Sequence, residues 1–456
     1  MIVSTTLRTL DPRNNRLIAE YPIADAEAVA RACRSALSAH RSWRNEAPST
    51  RARALNEIAA AIEAQRELFA NEEAQDTGKH VNIARHEVDG CVELWRYAAM
   101  LASGITSDCC IETPQGTAYT VREPMRVVGM IVPWNYPLIT TSERLPFALA
   151  AGCSVVLKPS ELAVGALPLL TKIIAETDRI PTGLVQTIYG DASTGRALTS
   201  DSSVEMISFV GSTATGRQVE SLAVSAGKCV SAELGGNNFL LVYADADLER
   251  AADAAIVGGF RNAGQACIAA THVLVEPSVE MAFLELLTAA LERRYPSRDR
   301  HIFQPMINRT HAERIEHLIS TARNEEGLHL LPGSTPERRE NRIGPVIFSN
   351  VPPGSVLMRD EIFGPVLTIT PLAEQQFVAI ANASGYGLAA YVWTQSEETA
   401  KTAIAELRAG RIWINADPEA WLPELPVGGF GKSGTGRELG PRALDTYTLT
   451  KSVLSR

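Results

Sequence analysis

No stretch of this 456-residue chain approaches the about 20 consecutive apolar residues that a membrane-spanning helix needs. Residues 1–10 have no cationic segment running into an apolar one, so no secretory leader is expected and the cytoplasm is the expected compartment. Cysteine is sparse. The seven present (33, 91, 109, 110, 153, 229 and 267) are odd in number and never spaced as CxxC, which argues against both a disulfide framework and a zinc site, so no metal is expected. Adjacent Cys109 and Cys110 read as incidental. A basic stripe is also missing, and the formal charge of −9 makes nucleic acid and anionic membrane poor partners. There is no internal repeat and no low-complexity tract.

What remains is an ordinary globular composition, 45% hydrophobic and 21% charged, long enough for two or three domains. Residues 25–40 and 49–76 read as helices, the second with Ser49 as a candidate N-cap, Leu55, Ile58, Ile62 and Phe69 on one face, and Gly78 past its end. A third helix is expected over 82–101. Residues 110–122, threonine-rich around a Pro-Gln-Gly turn, suggest a β-hairpin standing apart, a candidate for pairing between subunits. From Arg126 strands and helices alternate: strands at 127–132, 154–157, 185–189 and 206–210, with helices at 142–151, 164–177 and 213–226. That alternation is the mark of an α/β sheet with helices on both faces, which binds ligands beyond the carboxyl ends of its strands. A second alternating series fills 238–415, a Pro- and Gly-rich loop covers 419–436, and 445–453 reads as a terminal strand.

The chemistry concentrates between Glu233 and Cys267. Residues 228–234 form a strand stopped by Gly235-Gly236, which leaves Glu233 near its carboxyl end, and Cys267 follows a helix capped by Asp247. A thiol whose pKa is lowered by backbone N–H groups can act as a nucleophile, and a glutamate can act as a general base for water. Pro133-Trp134-Asn135-Tyr136-Pro137 holds an amide outside any regular element, suited to donating to an oxyanion. Residues 209–216 place Gly211, Ser212 and Gly216 between a strand and a helix, where free N–H groups can hold a pyrophosphate. Lys158 and Glu161, in Lys-Pro-Ser-Glu, suit ribose hydroxyls, and Glu361-Ile362-Phe363-Gly364-Pro365 sets a carboxylate and an aromatic in a loop.

Taken together and in this order, with Glu233-Leu234-Gly235-Gly236, Gly264-Gln265-Ala266-Cys267 and Gly434-Thr435-Gly436-Arg437-Glu438-Leu439-Gly440, these segments resemble the aldehyde dehydrogenase superfamily over essentially the whole chain. The resemblance implies a Rossmann-like cofactor domain (1–105 and 125–235 with 433–446), an α/β catalytic domain (236–432) and a β oligomerisation arm (106–124 and 447–456) in a homodimer or homotetramer. It implies that Cys267 attacks an aldehyde, that Asn135 and the Cys267 N–H hold the oxyanion, that Glu233 activates water to release an acid, and that Glu438 assists proton transfer. For the cofactor it implies Gly211, Ser212 and Gly216 at the phosphates, Lys158 and Glu161 at the adenosine ribose, and Glu361 and Phe363 at the nicotinamide ribose, with Trp134, Ser160 and Leu234 also in contact. A carboxylate at position 161 would repel a 2′-phosphate, so NAD is expected over NADP.

The substrate is less legible. Trp421 with Asp417, Glu419 and Glu424 suggests a mouth for a cationic amino- or trimethylammonio-aldehyde. Its rival is an anionic semialdehyde such as succinate semialdehyde, held by Arg144, Arg261 or His272. Val427 stands where many relatives carry an aromatic before paired glycines, which weakens inference from them. Two other function classes compete, a CoA-acylating dehydrogenase, which the presence of Glu233 disfavours, and a non-catalytic member, which the presence of all three reactive residues disfavours.

Overall fold

The computed structural model describes residues 5–104, 110–297 and 303–456; Cys109, the start of the expected arm at 106–109, and part of the connector 296–305 lie outside them. Asp25 caps the helix Ala26–Trp43 by accepting from the Ala28 N–H at 2.8 Å. The expected single helix over 49–76 is two, Pro48–Ala64 and Arg66–Thr77, parted at Gln65 (φ −111°, ψ 22°). Ser49 is not a cap: Pro48 takes the first helical turn, where a missing N–H costs nothing, and Ser49 falls inside. Gly78 ends the second helix at φ 74°, as its position suggests. Val81–Ser103 packs across both, burying Leu55, Ile58, Ile62 and Phe69 against Val88, Leu94 and Trp95. Ahead of these helices, Thr6–Leu10 and Leu17–Pro22, for which no element is expected above, form an antiparallel hairpin.

The cofactor-side sheet has six strands in the order Gly434–Thr435, Cys229–Glu233, Met206–Val210, Val127–Ile131, Ser154–Lys158, Val185–Thr187. The last five run parallel and the first is antiparallel. Chain order reverses around Val127–Ile131, which has Met206–Val210 on one side and Ser154–Lys158 on the other, so a crevice opens where these strands end. The helix expected over 142–151 is interrupted: Pro137–Ser142 stops, Glu143 and Arg144 leave the helical path, and Leu145–Ala151 restarts with Pro146 in its first turn. Proline cannot continue the preceding hydrogen-bond ladder, so the chain breaks before it. That break turns two charged side chains toward the site.

The second sheet has seven strands in the order His329–Leu330, Val346–Ser349, Val366–Pro371, His272–Val275, Phe239–Val242, Ala389–Trp393, Arg411–Ile414, and encloses its own core. A third, three-stranded sheet stands apart: Cys110–Thr113 and Gly116–Pro124 form the expected hairpin, and Thr448–Ser455 pairs antiparallel with the latter from Thr448 opposite Pro124 to Ser455 opposite Thr117. Among the described residues no helix is long and apolar enough to cross a membrane, and no group of His, Cys, Asp and Glu side chains could hold a metal ion.

Candidate active site

Cys267 lies six residues beyond Arg261, which caps the helix Leu248–Phe260. The intervening Arg261–Gly264 turn is bent unusually: Asn262, Ala263 and Gly264 all have positive φ, at 51°, 54° and 71°. Two non-glycine residues in that region are held by their surroundings at a cost of order 1 kcal/mol each. The Asn262 amide donates to the carbonyls of Asn135 (3.2 Å) and Gln265 (3.1 Å), and the Asn135 amide donates to the same Gln265 carbonyl at 3.0 Å. Asn135 and the thiol turn, 130 residues apart in sequence, are thereby tied together.

Two glycines allow the three segments to meet. A side chain at Gly236 would strike the Cys267 carbonyl, and one at Gly264 would strike the Gly364 carbonyl, so the turns after Glu233, before Cys267 and after Phe363 pack backbone to backbone. Asn238 fixes the contact by donating to the Cys267 carbonyl at 2.8 Å. The Cys267 Sγ then lies 3.6 Å from Glu233 Oε1.

The other oxygen of Glu233 accepts from Arg144 Nη2 at 2.6 Å. Arg144 is fully buried and also donates from Nη1 to Glu143 Oε2 (3.1 Å) and the Thr140 carbonyl (2.9 Å), while its Nε lies 4.0 Å from Glu438 Oε1. Glu438 is buried in turn and accepts from Ser231 and Tyr447 hydroxyls, both at 2.7 Å. Three carboxylates thus share one guanidinium, and two of them titrate high: burial raises the Glu438 carboxyl, and burial with the Glu233 charge lifts Glu143 to about 7. The condition of a lowered thiol pKa is not met. Burial first, then the charges of Glu233, Glu361 and Glu143, push the Cys267 pKa well above that of an ordinary cysteine. Cys267 follows a helix end rather than opening a helix.

Across the sheet the expected cofactor residues follow the strand ends. Ser212 caps the helix Thr213–Ser225, accepting from Thr215 N–H at 3.3 Å, and Gly216 in its first turn leaves no room for a side chain against Leu234. Lys158 ends its strand buried, lies 3.7 Å from the half-exposed Glu161, and is lowered in pKa by burial; Ser160 accepts from Leu162 N–H at 3.2 Å. Trp134 meets Phe363 edge to face at 5.5 Å, and Phe363 itself has φ 54°. Glu361 accepts from Gly236 N–H at 3.0 Å, with burial lifting its carboxyl to about 7.

The residues suggested for substrate charge disperse. His272 is buried between Asn237 (2.6 Å) and Thr368 (2.8 Å), and burial holds it neutral with a pKa of about 3. Arg144 serves Glu233. Arg261 lies 3.5 Å from Glu419, with its guanidinium 6.0 Å from the Tyr136 ring. Trp421 packs on the helical layer, while Asp417 and Glu424 are exposed. The contributions of Asn262, Asn238, Glu143 and Tyr391 were not foreseen. A Glu-Arg pair inside the apolar run 137–151 was a usable signal, since charge in such a run needs a partner.

A thiol, a carboxylate and an amide brought together where the two α/β sheets meet are the groups that covalent catalysis at a carbonyl needs. The chain matches the aldehyde dehydrogenase family over residues 3–453, and it belongs to that family. It is 34% identical to a chloroplastic aminoaldehyde dehydrogenase of Arabidopsis thaliana, covering 99% of this chain and 93% of that one. It is 33% identical to a 2-aminomuconic semialdehyde dehydrogenase of Danio rerio (99% and 95%). Among solved structures it superposes on an NAD-dependent aldehyde dehydrogenase from Sinorhizobium meliloti with a TM-score of 0.93 at 35% identity (98% and 91%). A betaine aldehyde dehydrogenase from Staphylococcus aureus in complex with NAD+ gives 0.92 at 31% (99% and 91%).

Proposed function

We propose that this protein oxidises an aldehyde to a carboxylic acid with NAD, through covalent intermediates on Cys267. The observation that carries this reading is the 3.6 Å approach of the thiol, in the turn before His272–Val275, to Glu233 at the end of its strand. The Cys267 thiolate, its proton released to solvent, attacks the carbonyl carbon, and Glu233 Oε1 stays ionised within reach of the same carbon. The Asn135 amide and the Cys267 backbone N–H then donate to the oxyanion of the thiohemiacetal. Bound NAD supplies the hydride acceptor, so the carbon leaves this step as a thioester. Glu233 next activates a water that hydrolyses it, with Arg144 steering the carboxylate and Glu438 accepting charge beyond it. The strand-end residues fit the dinucleotide: the N–H groups opening Thr213–Ser225 for phosphate, Glu161 with Lys158 and Ser160 for one ribose, Glu361, Phe363 and Trp134 for the other, and Leu234 packed beneath. The Glu161 carboxylate favours NAD over NADP, which their kcat/KM ratio measures. Spectrophotometric NADH formation over a panel of aldehydes, with and without CoA, tests the whole reading; turnover that requires CoA would refute the hydrolytic step.

Two consequences can be checked directly. Asn135→Ala is expected to lower kcat by about 10²–10³-fold, the usual worth of one oxyanion donor. An unchanged rate of Cys267 alkylation in that variant would separate the oxyanion role from a displaced turn. Second, the raised thiol pKa means that thiolate, the reactive form, is a minor species at neutral pH and grows as pH rises. Iodoacetamide labelling of Cys267 in the cofactor-free protein should therefore rise about tenfold per pH unit with no plateau by pH 9. The exposed Cys110 and Cys229 also react, so the Cys267 peptide must be followed by mass spectrometry.

For the substrate the relatives divide: the name of the 2-aminomuconic semialdehyde dehydrogenase supports a semialdehyde, whereas those of the aminoaldehyde and betaine aldehyde dehydrogenases support a cationic aldehyde, for which Asp417, Glu419 and Glu424 would be the acidic mouth. Against it stands the Arg261 guanidinium beside Glu419. The arm is proposed to join subunits into a homo-oligomer: its sheet exposes Ile111, Val121, Leu449 and Leu454, and light scattering reads the assembly.

A further inference from the structure

The carboxylates near the thiol are already matched. Glu233 and Glu143 bind Arg144, Glu419 lies against Arg261, and Glu361 takes the Gly236 N–H and feels the Arg314 charge. Arg144 and Arg261 each leave Nε without an acceptor but lie against carboxylates, and Arg411 differs in having no ion pair among the described residues. Its Nε and Nη2 are buried, and neither has a hydrogen-bond acceptor among the described residues. A guanidinium cannot shed its proton, so these donors stay charged, and buried donors without acceptors call for an explanation.

Arg411 opens the edge strand Arg411–Ile414, paired in parallel with Ala389–Trp393 so that Tyr391 sits opposite Trp413. The two rings stack at 4.8 Å, and the Tyr391 hydroxyl donates at 2.7 Å to the carbonyl of Ile268, the residue after Cys267. Alternate strand residues share a face, so Arg411 lies on the face of Trp413 and Tyr391, the face turned to the thiol. Its guanidinium stands 5.8 Å from the Trp413 ring. From the opposite wall its charge reaches the Glu143 carboxyl, one residue from the Arg144 that holds the base. Arg411 therefore lies on the thiol's side of the sheet with two donors unused.

We propose that Arg411 is the seat for an anionic tail, and that the substrate is an aldehyde bearing a carboxylate at its other end. This rests on the aldehyde-oxidising reading and adds the charge of the substrate. A planar carboxylate accepts two parallel N–H bonds from one guanidinium edge, which is the edge left open here. A cationic tail would find its carboxylates engaged and the guanidinium still unmatched.

The full-length protein is assayed with NAD and three aldehydes: succinate semialdehyde, butanal and betaine aldehyde. Succinate semialdehyde should have the highest kcat/KM. Arg411→Ala should lower that value about 100-fold, mainly through KM, while changing butanal by less than about 3-fold, as expected for loss of a charge-assisted contact remote from the reacting carbon. Arg411→Lys should recover part of it, since it restores charge without the fork. Calorimetry with succinate, the dicarboxylate product, tests the seat without turnover: binding should occur in the native protein and vanish in Arg411→Ala. Equal losses for succinate semialdehyde and butanal, a preference for betaine aldehyde, or succinate binding indifferent to Arg411→Ala would each overturn the proposal. Should no aldehyde be oxidised while succinate binds through Arg411, the oxidation reading fails and the anion seat stands.

Discussion

With alanine in place of Cys267, aldehyde-dependent NADH formation is expected to fall by at least about 10⁴-fold, because the bond that carries the substrate through both half-reactions can no longer form. The folded protein should be nearly unaffected. Sγ is half-buried and makes one long contact, to Glu233, whereas the turn that carries it is fixed by backbone and amide groups: Asn262, Asn135, Asn238 and the approach of Gly236 and Gly364. Dinucleotide binding, followed by quenching of protein fluorescence, should therefore survive. Most of the expected cofactor groups lie at strand ends of the six-stranded sheet, Glu361 and Phe363 in the loop that enters Val366–Pro371, and none hydrogen-bonds the sulfur. Turnover that persists in this variant would remove the mechanism altogether. Loss of dinucleotide binding alongside activity would instead mean that the turn needs its thiol to hold its shape.

Glu233→Gln should separate the two half-reactions. Gln keeps the size and one acceptor for Arg144 but cannot take a proton, so the thioester is expected to form and then persist. Steady-state kcat should drop by about 10²–10⁴-fold, the range for removal of a general base, with a burst near one NADH per active site preceding it. The same substitution should move the thiol the other way. Glu233 is the largest charge raising the Cys267 pKa after burial, and removing it favours the thiolate, so alkylation at a fixed pH should quicken. Slower hydrolysis with a more reactive thiol is a combination that simple misfolding does not produce. A variant with no burst and slower alkylation would assign Glu233 to structure.

Much of this site could be read from residue order because its parts are short and local. A glycine pair stops the strand at Glu233, prolines bracket Asn135, and Asp247 caps the helix before the thiol. The alternation behind the main parallel strands was equally visible. What escaped depends on distance. The hairpin Thr6–Leu10 with Leu17–Pro22 lies largely at the surface and carries little period-two signal, and the edge strand Arg411–Ile414 is half-buried throughout. The break at Glu143 was hidden by an apolar run that looked continuous, and only the fold reveals that Arg144 answers to Glu233, 89 residues on. That the thiol pKa is raised was hidden for the same reason: its neighbours Glu361 and Glu143 come from other parts of the chain.

The strand bearing Glu233 is flanked on its outer side by Gly434–Thr435, with Gly434 registered on Glu233 itself and Leu234 N–H donating to the Ser433 carbonyl at 3.0 Å. Glu438, which shares Arg144 with that base, comes from the same late segment. The base is therefore seated by a segment almost at the end of the chain, and a protein truncated before Ser433 should have no properly held Glu233 whatever the state of its thiol turn.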